Sequence, residues 1–430
     1  MDSDKLEESL QTIHHEQVLD QASNCTEKPV YRDPHGLPLN PQPTSFKDDP
    51  LNWHPALKLG ITLQVSFLAL LGPLGAAAPN PAFVVMSEYF EMSVTEISYE
   101  LTIFLLFAGI GPLVATPLAN HYGRRPVYLL GNLIAAITNI IPGYFDSWAV
   151  IMTTRALNGL TAGSVMAMGA ATICDMYFAH QRGLFMGIYT LCLTNGSNVA
   201  PIIGGFAAET LGWHSCFFIP GYLQLGTFII TLFCLPETLY HADPEDPEAA
   251  SRKERSYLEN LTFRRNNIPA RPLHLRDLLT PFKMLTSLSI LLPALLYMTC
   301  FGYGTVLFAL TGAALFTELE STSWVGSAFG MGISNMGLQI TTTTIYVYTT
   351  DCYKPQSAEI STIMNIFRQV FSCLVSFYAF PLVDLVGIQN TWIIFAMIVV
   401  AFMVPVVALR YFGARWRSLA NQQLPPSASE

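Results

Sequence analysis

The feature that most constrains this chain is a repeated one: apolar runs of about 20 residues, the length that crosses a hydrocarbon core of roughly 30 Å as a helix. Ten are present, at Leu57–Phe83, Ile97–Ala119, Pro126–Phe145, Ala149–Met176, Gly183–Ala207, Ser215–Leu235, Leu285–Leu310, Trp324–Tyr348, Glu359–Val383 and Thr391–Phe412. No soluble core needs that repetition. Only helices or closed barrels satisfy every backbone polar group in lipid, and these runs are too long and too uniformly apolar for barrel strands. The expectation is an all-α, polytopic membrane protein with about ten transmembrane helices. Composition agrees: 51% of the 430 residues are hydrophobic and 12% charged, about half the charge of ordinary soluble domains.

Charge placement orients the spans. With the N-terminus in the cytosol, the outer connections fall near Glu88–Glu96, Asp146, Glu209, Thr317–Ser323 and Asp384–Asn390, and none holds a Lys or Arg. The inner connections hold Arg124, Arg125, Arg182, Lys354 and a long basic loop from Arg252 to Lys283. Cations concentrated on one side mark the cytosolic leaflet, so both termini are expected there, in a plasma membrane. The net charge of -9 reflects acids in the first 50 residues and after Leu235, which read as solvated segments. The expected organisation is a disordered cytosolic tail at 1–56, six helices at 57–235, a cytosolic linker at 236–284, four helices at 285–412 and a cytosolic tail at 413–430.

Other chemistries have no residues to carry them. The eight cysteines lack CxxC spacing and read as free thiols. His14 and His15 read as solvated, so no metal is expected. There is no GxxxxGK[ST] loop, HExxH pair or GxSxG elbow, so neither an enzyme nor a cofactor is expected. The dispersed basic residues suit lipid headgroups and not nucleic acid. The sequons at Asn24, Asn195 and Asn260 fall on the cytosolic side or inside a span and are expected to stay unmodified.

Five segments resemble the major facilitator superfamily. Asn120-His121-Tyr122-Gly123-Arg124-Arg125 is similar to its signature loop, with Asn120 where the family has an acid and His121 where it has a base. Arg155-Ala156-Leu157-Asn158-Gly159 in span four resembles an Arg-x-x-Gln-Gly pattern that the family ties to proton coupling. An arginine at membrane depth is unfavourable by roughly 2.5–3.5 kcal/mol on insertion scales; it faces a cavity or, about 9 Å from the boundary, snorkels to it. Asn158 on the same face favours the cavity. Gly196-Ser197-Asn198-Val199-Ala200-Pro201-Ile202-Ile203-Gly204-Gly205 resembles the family's antiporter motif. Leu235-Pro236-Glu237-Thr238 resembles a form common in fungal members of the superfamily, and Asn365-Ile366-Phe367-Arg368-Gln369 resembles the closing helices of fungal drug and secondary-metabolite exporters; Arg368 lies about 14 Å into its span.

The resemblance implies two bundles with a small-molecule site between them near mid-membrane, and efflux of a drug-like compound or secondary metabolite, driven by protons. Uptake of a nutrient and a non-transporting sensor or inactive relic are compatible with the same residues. The candidate substrate-contacting residues are Gln64, Arg155, Asn158, Asn195, Asn198, Asn365, Arg368 and Gln369. The candidate gating residues are Asn120, Gly123, Arg124, Arg125, Asp175, Gly196, Pro201, Gly204 and Gly205. No carboxylate is expected near a span centre, with Glu100, Asp175, Glu209, Glu359 and Asp384 all placed near ends. A monomer in the bilayer is expected. The second half is about 50 residues shorter than the first, two spans' worth, so the family's eighth and ninth helices are expected to be missing, leaving a reduced four-helix C-terminal bundle.

Overall fold

The computed structural model describes residues 32, 39–43, 49–240, 278–306, 324–353 and 356–421. Most of the tail at 1–56 and of the linker at 236–284 lies outside the described residues, as do Cys25, Asn24, Asn260, His14, His15 and the join at 307–323. The chain divides into two units, 1–45 and 46–430, and the helices below all belong to the second.

Among the described residues, ten long helices follow the ten apolar runs: α1 Pro55–Ala77, α2 Val94–Tyr122, α3 Arg124–Ile140, α4 Trp148–Met176, α5 Ala179–Leu211, α6 Ser215–Cys234, α7 Leu288–Phe301, α8 Trp324–Cys352, α9 Ser357–Val386 and α10 Ile388–Asn421. Eight are long and apolar enough to cross a membrane. The other two are long enough but more polar: α5 carries Thr190, Thr194, Asn195 and Asn198, and α8 carries Asn335, Gln339 and Thr341–Thr344.

The ends of the helices follow local chemistry more than hydropathy. The outer connection expected at Glu88–Glu96 is mostly helical, because a 3-10 turn at Asn80–Ala82 leads into a further helix at Phe83–Phe90. Helix α2 then starts at a capping box, in which Ser93 accepts from the Glu96 amide and Glu96 accepts from the Ser93 amide, satisfying two orphan donors. Arg124 and Arg125, expected in a loop, form the first turn of α3 and are buried. Arg182, also expected in a loop, is buried in the first turn of α5. Each finds polar partners inside the protein, described below, which offset the loss of water.

Helices α1 to α6 pack on one another, chiefly α2 on α4, α1 on α5 and α3 on α6. Glycine makes the closest approaches possible, as is common between membrane helices. A Cβ on Gly159 or Gly163 of α4 would strike the carbonyls of Phe104 and Ala108 on α2. Helices α7 to α10 pack around α7 and α9. Among the described residues the two groups meet chiefly where α2 packs on α9, α4 on α9, and α5 on α8.

Candidate functional site

The polar residues that α5 and α8 carry face each other. Thr190 and Thr343 share a hydrogen bond at 2.7 Å, the Gln339 amide sits 2.5 Å from the Thr194 hydroxyl with Thr190 and Thr343 beside it, and Asn198 donates to Asn335 at 3.0 Å. The polarity that makes these two helices poor lone spans is therefore used between them. Asn195 takes no part; its amide donates to the Leu191 carbonyl of its own helix.

The second contact, α9 on α2 and α4, is also polar. The Asn120 amide donates to Glu359 at 3.0 Å, Thr116 and Thr362 share a hydrogen bond at 2.5 Å, Ser361 donates to the Ala167 carbonyl, and Asn365 donates to the Ala108 carbonyl at 2.8 Å. Arg368, one turn further, donates to Asn365 at 2.8 Å and lies 3.7 Å from the Met166 sulfur, with Phe301 under its guanidinium at 4.6 Å. Gln369 is buried beside Gly109 of α2. Of the eight predicted substrate-contacting residues, Asn198, Asn365, Arg368 and Gln369 thus lie where the two groups of helices meet.

Three others lie inside the first group. Arg155 accepts no lipid-facing position and does not snorkel: it is buried, donating to the Gly75 carbonyl and to Asn139, both at 3.1 Å, pairing with Glu100 at 3.5 Å, and stacking on Phe217. It ties α4 to α1, α2, α3 and α6. Glu100 lies near an end of its span, early in α2, and is fully buried because neighbouring helices cover it there. Asn158 donates to Ala135 and Thr138 of α3. Gln64 donates to Thr231 of α6 at 3.0 Å.

The predicted gating loop forms a cluster at the basic end. The Glu237 carboxylate accepts from the amides of Arg124 and Arg125 at 2.9 and 3.1 Å, an anion placed at the N-terminus of α3 where the helix dipole favours it. Gly123 has φ 102°, a conformation open to glycine, and any Cβ there would strike Glu237. Arg124 pairs with Asp175 at 2.9 Å, Arg125 donates to the Leu232 carbonyl at 2.7 Å, and Arg182 pairs with Asp351 of α8 at 3.0 Å. The antiporter-like motif serves packing on α1: a Cβ on Gly196 would meet Leu70 and Pro73, and one on Gly204 would meet the Ala78 carbonyl. Pro201 lies inside α5 and Gly205 beside Pro81.

Residues 65–304 match the sequence profile described as the Major Facilitator Superfamily. The chain belongs to that superfamily. Among curated relatives, this facilitator is 30% identical over 196 residues to "MFS antiporter QDR3" of Candida albicans, which covers 46% of this chain and 28% of that protein. It is 26% identical over 271 residues to "Efflux pump radE" of Floropilus chiversii, covering 61% and 49%, and 25% identical over 293 residues to "MFS transporter cpaT" of Aspergillus oryzae, covering 68% and 58%. The chain thus matches less than two thirds of the length of each of these relatives. Sequence reasoning missed Glu100, Glu237, Asp351, Asn335 and Gln339 as partners. The available signal was Arg155, an arginine inside an apolar run that needs an acid or its equivalent, and it bore on Glu100 alone.

Proposed function

We propose that this facilitator moves a small organic molecule across a membrane, with export of a drug-like compound or secondary metabolite as the direction. The observation that carries the reading is the buried Asn365, Arg368 and Gln369 cluster at the joint between the two groups of helices. Buried polar and ionisable groups at membrane depth mark pathways, and facilitators bind substrate between their bundles. Relatives named as efflux pumps supply the direction. A whole-cell assay decides it: cells expressing the chain lose a fluorescent drug faster than cells without it, and equal retention removes the reading. Net accumulation of the drug instead reverses the direction to uptake.

Proton coupling is a separable clause. Glu100, buried against Arg155, is the carboxylate we assign to carry the proton. Export that is unchanged by a protonophore reduces the activity to facilitated diffusion. The basic end is assigned to the cytosol, which terminal tags inaccessible from outside intact cells support, and the chain is assigned to the plasma membrane as a monomer.

One observation favours a non-transporting sensor as the second reading. In the most apolar stretch of α10, 11% of the positions are buried, against 39% in that of α6, as expected if the second bundle lacks a wall. Binding without passage in liposomes selects the sensor.

A further inference from the structure

Five arginines are buried in the described helices, and of these Arg125 donates to the Leu232 carbonyl. Arg124, Arg155 and Arg182 are each ion-paired, with Asp175, Glu100 and Asp351. Arg368 has no carboxylate within ion-pair distance among the described residues, although it is 1% exposed. Its Nη2 donates to Asn365 and points toward the Met166 sulfur, a weak acceptor. Nε and Nη1 have no partner, so most of the five N–H donors of a guanidinium are unused in a medium where each is expensive to leave unmade.

The surroundings are aromatic. Phe301 lies under the guanidinium. Tyr297 and Tyr346 meet edge to face at 5.5 Å, and Tyr346 meets Tyr189 likewise at 6.5 Å. The Tyr297 hydroxyl faces Arg368 and Tyr346 yet makes no hydrogen bond of normal geometry, and it is fully buried. Tyr189 and Met166 come from the first group of helices, and the remaining residues from the second. A site with an unpaired cation, a spare hydroxyl donor and ring walls complements an acid that carries an aromatic ring.

We propose that Arg368 and Tyr297 form the recognition point for an aromatic carboxylate, which pairs with the free guanidinium donors when the first group of helices, carrying Met166, moves away from Arg368 and the site opens. The proposal rests on the transport reading for its biological role, and its test does not, because the test reads binding alone.

The test uses the full chain in nanodiscs at neutral pH, titrated with 2-naphthoate and, separately, with the uncharged 2-naphthamide. Naphthoate binds and raises the melting temperature, and naphthamide binds about 10- to 100-fold more weakly, the ratio set by one charge-assisted hydrogen-bonding group. Arg368→Gln brings naphthoate down to the level of naphthamide, Arg368→Lys keeps a reduced preference, and Tyr297→Phe weakens naphthoate several-fold. Equal binding of the two probes to the native chain overturns the proposal without reference to any variant, as does absence of naphthoate binding at millimolar concentration. Unchanged naphthoate affinity in a folded Arg368→Gln protein overturns it too. Binding with the expected preference but no passage in liposomes leaves the site standing and removes the export reading.

Discussion

Glu100 and Arg155 hold opposite charges 3.5 Å apart with almost no exposure to solvent, so the response to mutation is asymmetric. Removing either partner leaves the other charge buried and uncompensated, which destabilises by about 3–5 kcal/mol. Removing both eliminates the penalty along with the attraction. Glu100→Ala and Arg155→Ala are therefore each expected to lower the unfolding midpoint in detergent strongly, while Glu100→Met with Arg155→Met recovers most of the loss. A double variant no more stable than the singles refutes the pairing. Arg155 stood out in the sequence because an arginine in an apolar run demands an explanation. Its partner did not, since Glu100 lies 55 positions away near a helix start, and proximity in the fold is not encoded in distance from a helix end. Arg182, expected in an inner connection, did not stand out, and its partner Asp351 is 169 positions away.

At the scale of elements, apolar run length made all ten helices legible, because lipid forbids unpaired backbone and leaves the helix as the one solution for such runs. Their ends were less legible, since a capping box at Ser93 and a carboxylate at the start of α3 decide them by local hydrogen bonds. The motif on α5 was recognisable, and its geometry separates two neighbouring glycines. Gly204→Ala forces a Cβ into the Ala78 carbonyl, whereas Gly205→Ala places one 3.9 Å from Pro81, an ordinary contact. Thermal unfolding is expected to show a loss of about 1–3 kcal/mol for the first, as for other overpacked sites, and little change for the second. Equal effects mean that α5 does not lie on α1 as described. The polar faces of α5 and α8 give another prediction. Thr190 and Thr343 place their hydroxyls 2.7 Å apart, so Thr190→Cys with Thr343→Cys, in a background without native thiols, is within reach of a disulfide. Oxidation is expected to cross-link the pair and stop export, and reduction to restore it. Export by the fully cross-linked protein shows that this seam stays closed during transport.

For the molecule as a whole, the second group of helices sets the limit. A complete facilitator has six helices in each half, built as paired three-helix repeats, and here six are followed by four among the described residues. Deleting an antiparallel pair keeps every later helix in its original direction, which is why the charge rule reads the same with or without the pair. Absence of such a pair is expected to register in packing. Among the eight strongly apolar spans of the described residues, α10 is the most apolar yet the least buried, and α8 leaves Ile333, Met336 and Ile340 exposed. In lipid those surfaces are solvated as well as they would be by protein, since no hydrophobic force separates the two, so the chain inserts. What it forgoes is helix-to-helix van der Waals contact, which holds membrane bundles together. We therefore expect the ten-helix chain to unfold in detergent at a lower temperature than a twelve-helix relative. An insert of about 50 residues encoding two apolar spans, placed between Val306 and Trp324, is expected to raise the midpoint and to bury α8. A midpoint that the insert leaves unchanged, together with full transport by the ten-helix chain, shows that four helices close the second half by themselves.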